Sequence, residues 1–420
     1  MIALLFALQT VAIHNVNVVP MDREQVLTNH VVLVRDGKIA AVGPRGRVTI
    51  PRDARQIDGQ GGYLVPGLAD FHVHLRLPTD AAAYLPYGVT VLADMGGPDN
   101  VRGWRDAVRA GRAIGPDLFV GRYLDGPGTR AGVETVDAAV AAVTRADSLG
   151  FDFIKVYNSI TPEQFAAIMT EAKKRGIAVV GHGVRAVGLE NGFAQGQSMV
   201  VHAEEYLYTD LKRSLDTTRI DGVVAATKKY GAFVIPNLSA YEAMTLQWGK
   251  PDVLEQFLQR PEAQKMPAYW VEDWRARDYV KRQGSIERPF AFLKKLTLAL
   301  HRAGVPLITG TDSPGIPGMV AGASVHDDLR LLVESGLTPY EALVAATRTP
   351  GEFAAMHFKS KDSFGTIVPG ARADLVLVAG NPLTDVAVLK QPRAVMVRGN
   401  WLDQAKLREI LQTWSATTTN

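Results

Sequence analysis

The chain has 420 residues, 47% hydrophobic and 21% charged, an ordinary globular composition with ample length for a large core. Its 46 basic and 43 acidic residues leave a net charge of +3, which argues against a nucleic-acid or anionic-membrane binder, and no apolar run is long enough to span a bilayer. Cysteine is absent, so disulfides and thiolate metal sites are excluded, and any metal must be held by histidine and carboxylate oxygen.

The first nine residues, M-I-A-L-L-F-A-L-Q, are apolar but have no basic leader and no clean small-residue cleavage site. They read as a weak or truncated signal remnant, which favours a periplasmic or secreted protein over a cytoplasmic one. From Val11 to Ile50 the chain is β-rich, with a hairpin at Arg35-Asp36-Gly37-Lys38 between Val31–Val34 and Ile39–Val42. The C-terminus has the same character at Asp374–Leu377 and Arg393–Val397. Residues 1–65 and 366–420 are therefore expected to form one composite β-sandwich domain around an inserted body spanning 66–365.

That body alternates apolar strands with helical segments, the pattern of repeated βα units. Eight strands are predicted: Ala69–Leu75, Val89–Met95, Leu118–Tyr123, Phe151–Tyr157, Ala178–Gly183, Ser198–Ala203, Ala232–Asn237 and Leu307–Thr311. The clearest helix is Pro162–Arg175, with Thr161 as N-cap and Gly176 as stop. Eight such units close into a (β/α)8 barrel. An open doubly wound sheet is the alternative, disfavoured because no Gly-rich nucleotide loop follows the first strand. Residues 238–300, rich in Trp and Tyr, form a long excursion that serves either as a lid or as extra packing on the barrel wall.

The run L-V-P-G-L-A-D-F-H-V-H-L ends the first barrel strand in His72 and His74, whose i, i+2 spacing on a strand projects two imidazoles to one side. Alone, such a pair is a weak metal signal. Barrel chemistry sits at strand carboxyl ends, and there the fourth strand carries Lys155, the fifth His182, the sixth His202 and the eighth Asp312. Each has an ordinary structural explanation by itself, but a lysine in a buried strand is costly unless paired or chemically altered. His301 and His357 read as packing residues, and His14 and His30 lie away from any site.

Taken together, P-G-L-A-D-F-H-V-H, G-V-T-V-L-A-D-M-G, F-I-K-V-Y, His182, His202, G-T-D and the C-terminal G-T-I-V-P-G-A-R-A-D-L-V-L-V resemble the amidohydrolase superfamily of metal-dependent hydrolases. The likeness runs from about Val11 to Leu402 and is nearest the imidazolonepropionase-like and Xaa-Pro or Xaa-Arg dipeptidase branch. It implies two divalent ions, zinc by ligand type with manganese, cobalt or iron as alternatives. His72, His74 and Asp312 would hold the inner ion, and His182 and His202 the outer one. Lys155, carboxylated by carbon dioxide, would bridge them. The implied reaction is attack on an amide by a hydroxide shared between the ions, with Asp312 passing the proton to the leaving amine. Ester, lactone or phosphotriester hydrolysis would use the same centre, and a catalytically silent scaffold is the reading from another class.

The implied partner is a small amide such as a dipeptide or N-acyl amino acid. Tyr157, Arg185, Tyr206, Tyr208 and His326 are candidate substrate contacts, each with an alternative as a packing or loop residue. A homo-oligomer is compatible with the sequence.

Overall fold

The computed structural model describes residues 10–418. The apolar start at residues 1–9, read above as a signal remnant, lies outside them. No helix among the described residues is long and apolar enough to cross a membrane.

The N-terminal strands are β1 (Val11–Val18), β2 (Leu27–Arg35), β3 (Lys38–Pro44), β4 (Arg55–Asp58) and β5 (Tyr63–Pro66). The predicted hairpin joins β2 to β3, with Arg35 opposite Lys38 and both turn residues, Asp36 and Gly37, at positive φ, as a two-residue turn between twisted strands requires.

The central strands are β6 (Leu68–Val73), β7 (Val89–Asp94), β8 (Asp117–Leu124), β9 (Phe153–Val156), β10 (Ala178–Gly181), β11 (Met199–Val201) and β12 (Phe233–Ile235). They form one parallel sheet in sequence order. The helix Pro162–Arg175 between β9 and β10 has a full capping box from Thr161 and Gln164 and ends at Gly176 in the left-handed region. Phe71, Phe119, Phe153 and Phe233 from four central strands meet Phe353, Phe358 and Phe364 in one buried cluster.

Three strands follow: β13 (Leu375–Val378), β14 (Ala394–Val397) and β15 (Asn400–Asp403). They join the N-terminal strands in a single eight-stranded sheet of order β15-β14-β13-β5-β1-β2-β3, with β4 on β1. Ile39 N–H donates to Ala371 O and Gly370 N–H to Ile39 O, both at 2.8 Å, so the β3 edge is stitched back to the segment before β13. The sheet thus curls around an apolar core that includes Ile13, Val32, Leu64, Leu375 and Met396.

The predicted eighth barrel strand, Leu307–Thr311, is not a regular strand. It closes the barrel between β12 and β6 through isolated bridges, Val234 with Leu307 and Val73 with Ser313. Ile308 N–H donates to Val234 O at 2.9 Å and Phe71 N–H to Thr309 O at 2.9 Å. The reason for the irregularity is chemical. Asp70 Oδ1 accepts the Thr311 N–H at 2.9 Å and Asp328 Oδ2 the Gly310 N–H at 3.3 Å, so carboxylates take donors that a ladder carbonyl would otherwise receive. The seam is also tight. A Cβ on Gly310 would lie 2.6 Å from Ile235 Cγ2 and 3.0 Å from His72 Cβ, so only glycine fits there.

Candidate metal centre

Register faults in β6 build one wall of the site. Its pairing with β7 shifts between Asp70 and Val73, and His72 N–H donates to Asp70 Oδ1 at 3.2 Å. Phe71 stays in the interior phenylalanine cluster while the adjacent His72 also turns inward, as a bulge allows. Three further residues of the site, His202, Asn237 and Asp312, have φ of 76°, 56° and 61°. Non-glycine residues seldom adopt that region, and they cluster at functional sites.

The histidines of three strand ends converge in a row. Ring centroids are 5.2 Å apart for His74 and His72, 4.7 Å for His72 and His202, and 4.7 Å for His202 and His182. Asp312 Oδ1 lies 2.9 Å from His74 Nε2 and 3.5 Å from His72 Nε2. His72, His74 and Asp312 each offer a donor atom, and these atoms lie within 4.8 Å of one another. His72 Nδ1 is buried with no hydrogen-bond partner.

The imidazoles of His202 and His182 are oriented by residues that sequence reasoning missed. Asn237 Nδ2 donates to Gly310 O, which leaves Asn237 Oδ1 to accept from His202 Nδ1 at 2.6 Å. His202 therefore carries its proton on Nδ1 and keeps the Nε2 lone pair free. Likewise His182 Nδ1 donates to Glu205 Oε1 at 2.6 Å, and Asn158 Nδ2 donates to the same carboxylate at 3.0 Å and 3.2 Å. Carboxylate or amide partners on the far nitrogen are the usual support of a metal-binding imidazole.

The electrostatics suit a cation. Burial, then the Lys155 charge and the neighbouring imidazoles, hold His72 well below the ordinary histidine value. Burial and Lys155 do the same for His182, and burial with His182 brings His202 down to about 3. These three rings are neutral at pH 7, with lone pairs available. Burial opposes ionisation of Asp312, but the hydrogen bond and charge of His74, with His202 and Lys155, outweigh it and hold the carboxyl at about 2. Lys155 is 1% exposed and has no carboxylate within 4 Å among the described residues. Burial lowers its ammonium to about 8 despite Asp312, Glu205 and Glu204. Burial, then Glu205, pushes the Glu204 carboxyl up to about 8. Neutral imidazoles, an ionised aspartate and an unpaired buried lysine fit a divalent-metal pocket better than a self-satisfied polar core.

The proposed substrate contacts divide. The Tyr157 ring lies 3.8 Å from that of His182, and Arg185 reaches over the Tyr208 ring at 5.5 Å. Arg185 also lines a cavity of about 620 Å³ between the loops after β10 and β11. Tyr206 is different. Thr227 Oγ1 already donates to Val223 O, so the Tyr206 hydroxyl donates to Thr227 at 2.8 Å inside the wall and is not free to meet substrate. His326 is also misplaced by the sequence reading. Its Nε2 lies 3.0 Å from Tyr87 O, just before β7 begins, at the end of that strand opposite the histidines.

Comparison with known proteins agrees with this architecture. Residues 287–402 match the amidohydrolase family model. An adenine deaminase of Deinococcus radiodurans is 26% identical over 377 residues, which span 86% of this chain and 56% of that one. The solved bottromycin amidohydrolase is 26% identical with a TM-score of 0.73 over 97% of this chain and 91% of that one. A Xaa-Pro dipeptidase structure with bound methionine shares the fold at 19% identity, with a TM-score of 0.69 over 94% and 100%. A family match across the end of the barrel and into the terminal sheet, joined to a fold shared along almost the whole chain, makes the protein similar to the amidohydrolases.

Proposed function

We propose that the protein is a binuclear metal-dependent hydrolase of carbon–nitrogen bonds, acting on a dipeptide or N-acyl amino acid. The observation that carries this reading is Lys155, a buried cation without a carboxylate partner, set at a strand end among three neutral imidazoles. With an ammonium value of about 8, roughly a tenth of Lys155 is free amine at pH 7, far more than for an ordinary lysine, and that amine is open to carboxylation by carbon dioxide. The carboxylated side chain would be an anionic oxygen ligand between two cations.

In this reading His72, His74 and Asp312 would hold one ion and His182 and His202 the other, with Lys155 as a further ligand. Two such ions would supply an activated water and polarise the scissile carbonyl. The chain supplies the rest. Asn237 and Glu205 keep the Nε2 atoms of His202 and His182 aimed inward. His74 fixes Asp312, whose carboxylate takes a proton from the attacking water and delivers it to the leaving nitrogen as the C–N bond breaks. Tyr157, Arg185 and Tyr208, beside the outer histidines, bind the substrate carboxylate.

Asp312→Asn is expected to fold normally and to lower kcat by about 10²–10⁴. Near-normal turnover in that variant would remove Asp312 from the mechanism. Elemental analysis of protein reconstituted in bicarbonate buffer is expected to give two ions per chain. One ion with unmodified Lys155 would instead favour a mononuclear, deaminase-like centre. A panel of dipeptides, N-acyl amino acids, aryl esters and lactones separates amide from ester chemistry, and turnover of esters alone would overturn the bond assignment.

A further inference from the structure

Just beyond His74 the chain contains a buried aspartate that the proposed chemistry does not use. Asp80 is fully buried, and no cationic nitrogen lies within 4 Å of it among the described residues. Its carboxylate is instead saturated by neutral donors from three separate segments. Oδ2 accepts the backbone N–H groups of Arg76 and Leu77, each at 2.9 Å. Oδ1 accepts Tyr269 O–H at 2.6 Å, Trp270 Nε1–H at 2.9 Å and Trp414 Nε1–H at 2.9 Å. A carboxylate has about four lone-pair sites, so five donors leave none free.

The three segments are the loop after His74, the helix Ala268–Ala276 in the excursion after β12, and the helix Gln404–Ser415 near the C-terminus. The excursion helix grips the His74 loop a second time. The Arg76 guanidinium lies 4.0 Å over the Trp270 ring and donates to Asp273 at 2.6 Å. The same helix reaches the opposite arm of the site, where Trp274 Nε1–H donates to Pro314 O at 2.8 Å, two residues beyond Asp312. One helix thus backs both members of the 2.9 Å His74–Asp312 pair, and Asp80 anchors it.

We propose that Asp80 is a positioning residue for the inner metal pocket, and that through Trp414 the C-terminal helix sets how tightly that pocket holds its ion. The inference rests on the metal-binding reading above. The excursion over the barrel mouth is then a fixed brace on His74 and Asp312. Replacing Asp80 by Asn turns a pure acceptor into a group that points an NH2 at existing donors. Trp414→Phe removes one N–H and keeps most of the packing.

The test is zinc titration of the metal-free full-length chain in competition with a chromogenic chelator, below the unfolding temperature of every variant. Asp80→Asn is expected to weaken retention of the inner ion about 10–100-fold, and Trp414→Phe to weaken it in the same direction by less. Arg372→Met, at the far end of the barrel, is the control for lost stability alone, expected to unfold at lower temperature with wild-type zinc affinity. If Asp80→Asn does not fold, Trp414→Phe decides. If wild-type protein takes up zinc and the Asp80 and Trp414 variants retain it as well as Arg372→Met does, this inference fails and the metal reading stands. If wild-type protein takes up no zinc, both fall.

Discussion

The barrel buries a charged cluster at each end, and the two are built on opposite plans. At the amino ends of the strands, Arg372 is enclosed by acids. It donates from Nη1 to Asp117 at 2.5 Å and from Nε to Asp374 at 2.6 Å. Arg109 adds a 2.8 Å bond to Asp117, and the Arg398 N–H a 2.7 Å bond to Asp374. Since Asp117 opens β8 and Arg372 and Asp374 lie just before β13, this cluster bolts barrel to terminal sheet. At the carboxyl ends, among the described residues, Lys155 has no carboxylate within 4 Å and His72 Nδ1 has no hydrogen-bond partner. Lys155 and Arg372 are both buried, at 1% and 3% exposure. On the metal-binding reading, the two differ in that acids surround Arg372 while none lies within 4 Å of Lys155 among the described residues.

The contrast is broken most severely at Lys155. Lys155→Met is expected to lower turnover by about three orders of magnitude or more while leaving the metal-free fold as stable or raising it by about 1–4 kcal/mol, because a well-packed apolar group replaces an uncompensated charge. Urea unfolding of the metal-free protein beside steady-state kinetics measures both, and a large stability loss would place Lys155 with the structural cluster. Arg372→Met is the mirror experiment. It takes the buried guanidinium away from two buried carboxylates and is expected to cost about 3–5 kcal/mol, with turnover per folded molecule unchanged.

The smallest effect comes from acid. Burial alone would raise Asp117, but Arg372, Arg109 and Arg398 outweigh it and hold the carboxyl at about 2. Its value in the unfolded chain is about 3.9. A group lowered on folding stabilises above its unfolded value and loses that contribution as pH falls through the folded one. About 2–3 kcal/mol should therefore disappear between roughly pH 4 and pH 2. Unfolding free energies across that window should show the loss in wild type and a smaller one in Arg372→Met.

Much of this contrast can be read from the chain. The rule that polar residues at strand ends carry barrel chemistry found His72, His74, Lys155, His182, His202 and Asp312, all of which the fold brings to one end. Applied more fully it would have found Asn237, the last residue of the predicted seventh strand, and Glu205, three residues past His202 in H-A-E-E. Both work through a ring nitrogen supplied by another residue, and that pairing depends on cross-strand register rather than on local pattern. The eighth strand failed for the same reason. L-I-T-G-T-D is a good strand by composition, but Asp70, 241 positions from Thr311, and Asp328, 18 positions from Gly310, compete for its amides. His326 was misread because a histidine opening a helix after the last strand gives no sign of which end of the barrel it faces.

The irregular seam carries a consequence for how the molecule is made. Asp70 and Thr311, whose side chains meet at 2.6 Å, lie 241 positions apart. The ordered ladder from β6 to β12 can be laid down as the chain leaves the ribosome, but His72 has no Asp312 to face until that last segment emerges. Domains assemble as units during synthesis, so a nascent chain ending before residue 312 is a barrel left open along one side, without its complete ligand set. An ion gripping His72 and Asp312 would then arrive only as the barrel closes, as a clasp across a very long loop, where closure removes much chain entropy.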